Sequence, residues 1–155
     1  MDKVKKIKII ILSVLIALTL AFIWGNSCLS TSASSSESKD VYGAFNSILD
    51  FLFGQGVITH SIFRKLMHFG EFFLLGLEIN LLFITLFGIK VEKILHACSL
   101  GLLIAVIDES IQILSNRGPA VIDLLIDLAG YIVATLILFI VIAVVKLIKN
   151  RKQKV

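Results

Sequence analysis

The sequence is poor in proline, cysteine and charge. Its 155 residues include one proline, two cysteines and 17% charged residues, whereas soluble domains average about 25% charged. Two cysteines cannot build a disulfide framework. Cys98 lies within one apolar run and Cys28 follows another, so no bond between them is expected. With 57% hydrophobic residues and a mean hydropathy of +0.98, a soluble globular protein is excluded because its apolar surplus would face water.

Four apolar stretches approach the length of about 20 residues that a helix needs to cross a membrane. They cover residues 9–24, 66–87, 94–114 and 120–145. The first follows four lysines, as in a signal peptide, but no small-residue cleavage site follows at once, so we interpret it as an uncleaved helix. Short connections make the later spans antiparallel neighbours. We predict an all-α polytopic membrane protein, a four-helix transmembrane bundle formed by residues 1–155 as a single domain.

The segment between the first two spans, residues 25–65, has two parts. The serine-rich run 30–38 has too little apolar surface to fold and is interpreted as a flexible tether. From Val41 to Leu52, apolar residues recur at three- and four-residue spacing. This pattern is typical of a short amphipathic helix on the membrane surface. A plain connector is the alternative.

Lysine and arginine are distributed unevenly about the spans. If the N-terminus lies inside, the cytoplasmic segments hold eleven of the fifteen basic residues, and the outside holds four. Those four are Lys39, Arg64, Lys65 and Arg117. The positive-inside rule therefore places both termini in the cytoplasm and residues 25–65 outside. Because the basic residues flank apolar runs, membrane lipids are the expected contacts and no nucleic-acid partner is expected.

Ionisable side chains are costly inside a membrane, and the last three predicted spans contain six acids. The predicted topology brings polar residues of these spans to the same outer third of the membrane, and three- and four-residue spacing places them on shared helix faces. The predicted functional cluster is Lys65, His68, Glu71, Asp108, Glu109, Gln112, Arg117, Asp123 and Asp127. So many acids would repel one another, so a positive partner or several bound protons are expected. Glu78 lies deeper, near the midplane.

Several of these residues also have a simpler structural interpretation. Asp123 and Asp127, at the start of the fourth span, can complement the helix dipole at headgroup level. Basic residues at a span end commonly anchor it there. Arg117 can serve as a counter-ion to nearby acids. His60 and His96 have no charged partner at helical spacing, and we interpret both as structural.

The polar motifs resemble those of the VanZ-like family. The segment 65–76, KLMHFGEFFLLG, resembles the family's K-x-x-H-F-x-E pattern, and DESIQ at 108–112 followed by Arg117 resembles its D-E-x-x-Q…R signature. Asp123, Asp127 and Gly130 resemble its D-x-x-x-N-x-x-G ending, with Asp127 where the family usually has Asn. The resemblance covers nearly the whole chain. It implies a small bacterial membrane protein of about four helices, whose named member is linked to teicoplanin and lipoglycopeptide resistance.

The resemblance implies a place in the cell envelope and no particular reaction. The leading interpretation is a protein that acts from the outer face on a lipid-linked wall precursor or an anionic lipid, with Arg117 gripping a phosphate or carboxylate. One alternative is a metal-assisted hydrolase or transferase that uses the acids and His68 as ligands. Another is a proton or cation pathway through Glu78. The oligomeric state stays open.

Known enzyme motifs give the metal alternative no support. The sequence has no H-E-x-x-H, P-loop or nucleophile elbow. Because Arg117 supplies a positive charge that would repel a nearby cation, we expect no metal or other cofactor.

Overall fold

The computed structural model describes residues 2–29, 31–115 and 121–153, which contain five helices and no strand. In chain order the helices are α1 (Lys3–Ser27), α2 (Thr31–Phe53), α3 (His60–Phe87), α4 (Val91–Leu114) and α5 (Val121–Lys152). Four of them, α1, α3, α4 and α5, are long and apolar enough to cross a membrane. The all-α prediction with four spanning helices is therefore confirmed, and the chain is a multi-pass membrane protein.

The helices extend beyond the apolar stretches that predicted them. α1 includes the N-terminal lysines, and α5 continues past Val145 to Lys152. Lysine and arginine are good helix formers, so a helix can continue after its apolar run ends. Ala120, the predicted start of the fourth span, lies outside the described residues.

The prediction of a flexible tether at 30–38 is wrong for its described part, because α2 already begins at Thr31. The run contains neither proline nor glycine, and serine costs only about 0.5 kcal/mol relative to alanine in a helix. A helix nucleated by the apolar residues from Val41 can therefore extend back through the serines. Ser30 lies outside the described residues. The amphipathic helix is confirmed, and its position on a membrane surface stays a prediction.

A short turn folds α2 back onto the start of α3. Gly54 and Gly56 in this turn have φ angles of +95° and +71°, which favour glycine. The Tyr42 hydroxyl donates a hydrogen bond to the Ile58 carbonyl oxygen at 2.9 Å, and the Tyr42 ring lies 5.6 Å from the Phe63 ring. These contacts fix the C-terminal part of α2 beside the first turn of α3.

α3 is the central helix of the bundle, since it contacts each of the other four. Its most extensive contact is with α5, where the two backbones approach closely at two glycines. A Cβ atom at Gly130 would collide with the Phe69 carbonyl oxygen. A Cβ atom at Gly76 would lie 3.0 Å from the Ala134 Cβ and from the Tyr131 carbonyl oxygen. Larger residues at either glycine would separate the two helices.

Tyr131 connects α5 to α4 through the middle of the bundle. Its ring is fully buried and occupies the space where Gly101 has no side chain, and its hydroxyl donates to the Ala97 carbonyl oxygen at 2.6 Å. The outer faces of the four long helices expose many leucine, isoleucine, valine and phenylalanine side chains, which suits contact with lipid. Cys28 and Cys98 are free, as predicted.

Contacts at the two ends show how the helices are oriented relative to one another. Lys5, near the start of α1, donates to the Leu86 carbonyl oxygen near the end of α3 at 3.3 Å. At the opposite end, Ser27 of α1 bonds to Asp108 of α4. The ends of α1 and α4 thus meet the starts of α3 and α5 at one end of the bundle, which we call the polar end.

Candidate functional site

Polar side chains from four helices meet at the polar end. We call the following seven residues the polar cluster: Asn26 and Ser27 of α1, His68 and Glu71 of α3, Asp108 and Gln112 of α4, and Asp127 of α5. Five of the seven belong to the cluster predicted from the sequence. The antiparallel order of the helices therefore brings together five of the nine residues of the predicted cluster.

Asp108 of the polar cluster accepts hydrogen bonds from α1 and from its own helix, α4. It is fully buried, and its Oδ1 accepts a hydrogen bond from the Ser27 hydroxyl at 2.6 Å. Its Oδ2 accepts from the Gln112 side-chain amide, one turn further along α4, at 2.7 Å. Hydrogen bonds to a carboxylate are among the stronger ones in proteins. They fix the orientation of Asp108 and join the end of α1 to α4.

His68 lies between two acids on different helices. Its Nδ1 is 3.6 Å from Asp127 Oδ1 and 4.0 Å from Glu71 Oε2. The Asn26 amide donates to Glu71 Oε1 at 3.3 Å, which ties α1 to this group. Asp127 is fully buried, and neither of its oxygens accepts a hydrogen bond from the described residues.

The close contact of α3 with α5 explains why His68 and Asp127 meet. Gly130 lies one turn after Asp127 on α5 and packs against the backbone of Phe69, the residue that follows His68. The absent side chain at Gly130 thus lets Asp127 lie beside His68. Together with Asp108, these residues offer one imidazole nitrogen and two carboxylate oxygens that all lie within 4.8 Å of one another.

A cavity of about 110 Å³ lies beside the polar cluster. We call it the basic cavity; it is lined by Ser61, Arg64, Lys65, His68 and Asp123. It is formed by the first turns of α3 and α5, and His68 belongs both to its wall and to the polar cluster. Two of its five lining residues are permanently basic, so the cavity suits an anionic group.

The remaining predicted site residues have different surroundings. Lys65 and Asp123 line the basic cavity, beside the polar cluster. Glu109 follows Asp108 on α4, and its Oε2 atom is buried. Arg117, which the sequence predicts as the positive partner, lies outside the described residues.

Two further polar contacts lie deeper in the bundle. Glu78 is 6% exposed and accepts a hydrogen bond from the Thr19 hydroxyl of α1 at 3.1 Å. Asn80 donates to the Thr135 hydroxyl of α5 at 2.9 Å and to the Gly76 carbonyl oxygen at 2.8 Å. Such contacts satisfy polar groups inside a membrane and hold the helices in register.

The contribution of α1 to the polar cluster was not predicted from the sequence. Asn26 and Ser27 are the last residues of α1 and carry no charge, whereas the prediction was based mainly on ionisable side chains. The sequence nevertheless contains a feature that could have indicated their role. They are hydrogen-bonding residues at the end of a span whose predicted orientation places them level with His68 and Asp108.

The fold and this site define a class: a multi-pass helical membrane protein with buried acids, a histidine and a basic cavity at one end of its bundle. The sequence profile of the VanZ/LLP1 family matches residues 7–143, and the chain belongs to this family. The resemblance seen in the motifs is therefore confirmed. Comparison with curated proteins and with solved structures gave no match.

Proposed function

We propose that this chain is a bacterial cell-envelope protein that binds the phosphate of a lipid-linked wall precursor or of an anionic lipid. The observation that carries the proposal is the basic cavity, which places Arg64 and Lys65 beside His68. An arginine binds phosphate oxygens in pairs through its planar guanidinium, and a lysine adds a mobile positive charge. Ser61 adds a hydroxyl donor at the same cavity.

Apolar side chains near the cavity suit the tail of such a ligand. Ile62 and Leu66 occupy the same turns of α3 as the basic residues, and both are exposed. Ile122, next to Asp123 on α5, is also exposed. A molecule with an anionic head and a hydrocarbon tail can therefore place its head in the cavity and its tail along these residues.

Family membership supports a role in the envelope. We place the protein in the cytoplasmic membrane with the polar end facing outward, where lipid-linked wall precursors and glycopeptide antibiotics meet. Holding or altering a precursor there would reduce the target displayed to teicoplanin and related lipoglycopeptides.

Binding to a soluble ligand analogue tests the proposal. We expect purified protein in detergent to bind geranyl phosphate in calorimetric titration and not to bind geraniol, which lacks the phosphate. The double variant Arg64→Gln/Lys65→Gln should bind geranyl phosphate at least about tenfold more weakly, a loss of about 1.4 kcal/mol.

The control for this titration is Lys39→Gln, which removes the charge of an exposed lysine on α2 and should leave the affinity unchanged. Titration with short-chain phosphatidylglycerol separates the two ligand sources, since a wall-precursor protein should prefer the prenyl compound. Equal binding of geraniol, or an unchanged affinity in the double variant, would contradict the proposal.

The orientation of the bundle gives a second expectation. In a cysteine-free background, Ser36→Cys on α2 should react with a membrane-impermeant maleimide on intact cells, because the positive-inside rule places α2 outside. Lys152→Cys at the end of α5 should react only after lysis. Both positions are exposed, so local burial does not limit labelling. The opposite pattern would show a reversed orientation and place the basic cavity on the cytoplasmic side.

A further inference from the structure

We infer that His68, Asp108 and Asp127 form a binding site for a divalent cation at the polar end. One donor atom from each residue lies within 4.8 Å of the other two. Bonds of about 2.1 to 2.5 Å place ligands on opposite sides of an ion about 4 to 5 Å apart. Side-chain rotations are therefore enough to bring the three donors around one ion. The site is defined by the polar cluster and does not depend on phosphate binding in the basic cavity.

Asp127 provides the independent observation that points to a ligand. It is fully buried, and both its oxygens lack a hydrogen-bond donor among residues 2–29, 31–115 and 121–153. His68 Nδ1, at 3.6 Å, lies beyond hydrogen-bonding distance of Asp127 Oδ1. A buried carboxylate that accepts no hydrogen bond is strongly disfavoured relative to a carboxylate in water. A cation between Asp127, His68 and Asp108 would offset that cost.

Hydrogen bonds orient the Asp108 carboxylate, as is common for carboxylates that bind metal ions. The Ser27 hydroxyl and the Gln112 amide each donate to a different oxygen of its carboxylate. Each oxygen of a carboxylate has two acceptor positions, so an oxygen that accepts a hydrogen bond can also bind an ion. Hydrogen bonds of this kind orient the ligands of metal sites and are needed for tight binding.

The geometry changes an expectation drawn from the sequence. The sequence assigns neutralisation of the acids to Arg117 and predicts no metal. The structure places an imidazole nitrogen and two carboxylate oxygens from three helices within 4.8 Å of one another. An arginine does not require donors to converge in this way, whereas a divalent ion does.

The mixed donor set indicates which ions to test. Imidazole suits zinc and carboxylate suits manganese, magnesium and calcium, so one nitrogen with two acidic oxygens is compatible with Mn²⁺ and Zn²⁺. Because His68 also lines the basic cavity, an ion held by it would lie next to the position proposed for the phosphate.

Direct metal binding tests the inference. The full chain in detergent is stripped with a chelator and titrated with Mn²⁺, and free Mn²⁺ is followed by electron paramagnetic resonance; Zn²⁺ is titrated against a chromophoric chelator. We expect one ion per chain and a higher melting temperature in its presence. Asp127→Asn keeps the shape of the side chain and removes its charge. It should weaken metal binding at least about tenfold, because losing even a residue that only hydrogen-bonds to a metal ligand weakens binding by that factor.

Asp40→Asn is the matched control, since it makes the same change at an exposed aspartate of α2, outside the three-donor group and the lining of the basic cavity. It should keep the wild-type affinity. His68→Ala provides a second variant that should lose the ion if Asp127→Asn does not fold. Wild-type protein that binds neither Mn²⁺ nor Zn²⁺ would overturn the inference. Equal affinities in the wild type and in Asp127→Asn, or an equal loss in Asp40→Asn, would also overturn it. Failure of geranyl phosphate to bind would leave the metal result unchanged, so the two proposals are tested separately.

Discussion

Replacing Gly130 with leucine is expected to prevent accumulation of folded protein in the membrane. Even the first side-chain carbon would collide with the carbonyl oxygen of Phe69 and lie too close to the backbone nitrogen of Phe73. Backbone atoms within a helix cannot rotate away as a side chain can. Overpacking a core typically costs about 1–3 kcal/mol, and four carbons pressed against a helix backbone should exceed that range.

The measurement is size-exclusion chromatography of a fluorescent fusion, followed by thermal melting of any monodisperse peak. Gly70→Leu is the matched control, because it makes the same substitution on α3 at an exposed position with nothing within 4 Å of the new Cβ. We expect that variant to behave like the wild type. A Gly130→Leu protein that melts at the wild-type temperature would show that α3 and α5 do not approach at this glycine.

The same glycine determines the arrangement of the site. Asp127 and His68 lie next to the place where Gly130 contacts Phe69, so separating α3 from α5 would also separate the acid from the imidazole. A milder substitution, Gly130→Ala, should lower stability and metal affinity together. Packing and site chemistry are thus coupled through one residue.

The spans could be predicted because the membrane imposes a length and a polarity on them. The helical structure of residues 31–38 could not be predicted on the same basis. Their composition shows that the serines cannot form an apolar core, but a helix needs only its own backbone hydrogen bonds and an adjacent segment that nucleates it. The apolar residues from Val41 provide that segment, and α2 begins at Thr31.

The meeting of polar residues at one end could be predicted from antiparallel topology alone. Which atoms face one another could not, because this depends on how each helix is rotated about its axis. Asp108 and Glu109 are adjacent acids that the sequence treats alike, yet Asp108 is the one held by Ser27 and Gln112. That rotation follows from close contacts such as Gly101 against Tyr131, which periodicity does not reveal.

Loss of His68 is expected to abolish function in cells. If the chain raises the minimal inhibitory concentration of teicoplanin when expressed in a susceptible bacterium, His68→Ala should return that value to the level of the empty vector. The reason is that His68 belongs to both candidate sites: it lines the basic cavity, and its Nδ1 lies 3.6 Å from Asp127 in the polar cluster. Its removal would weaken phosphate binding and metal binding together, whereas the other cluster residues take part in one of them.

His96→Ala is the matched control for this experiment. It makes the same substitution at an exposed histidine near the start of α4, at the opposite end of the bundle. Immunoblots of membrane fractions must show equal amounts of both variants, since destabilised protein would mimic a loss of function. The two variants differ only in which end of the bundle loses an imidazole. If His68→Ala retains resistance, or if both variants lose it equally, the polar end is not the functional site.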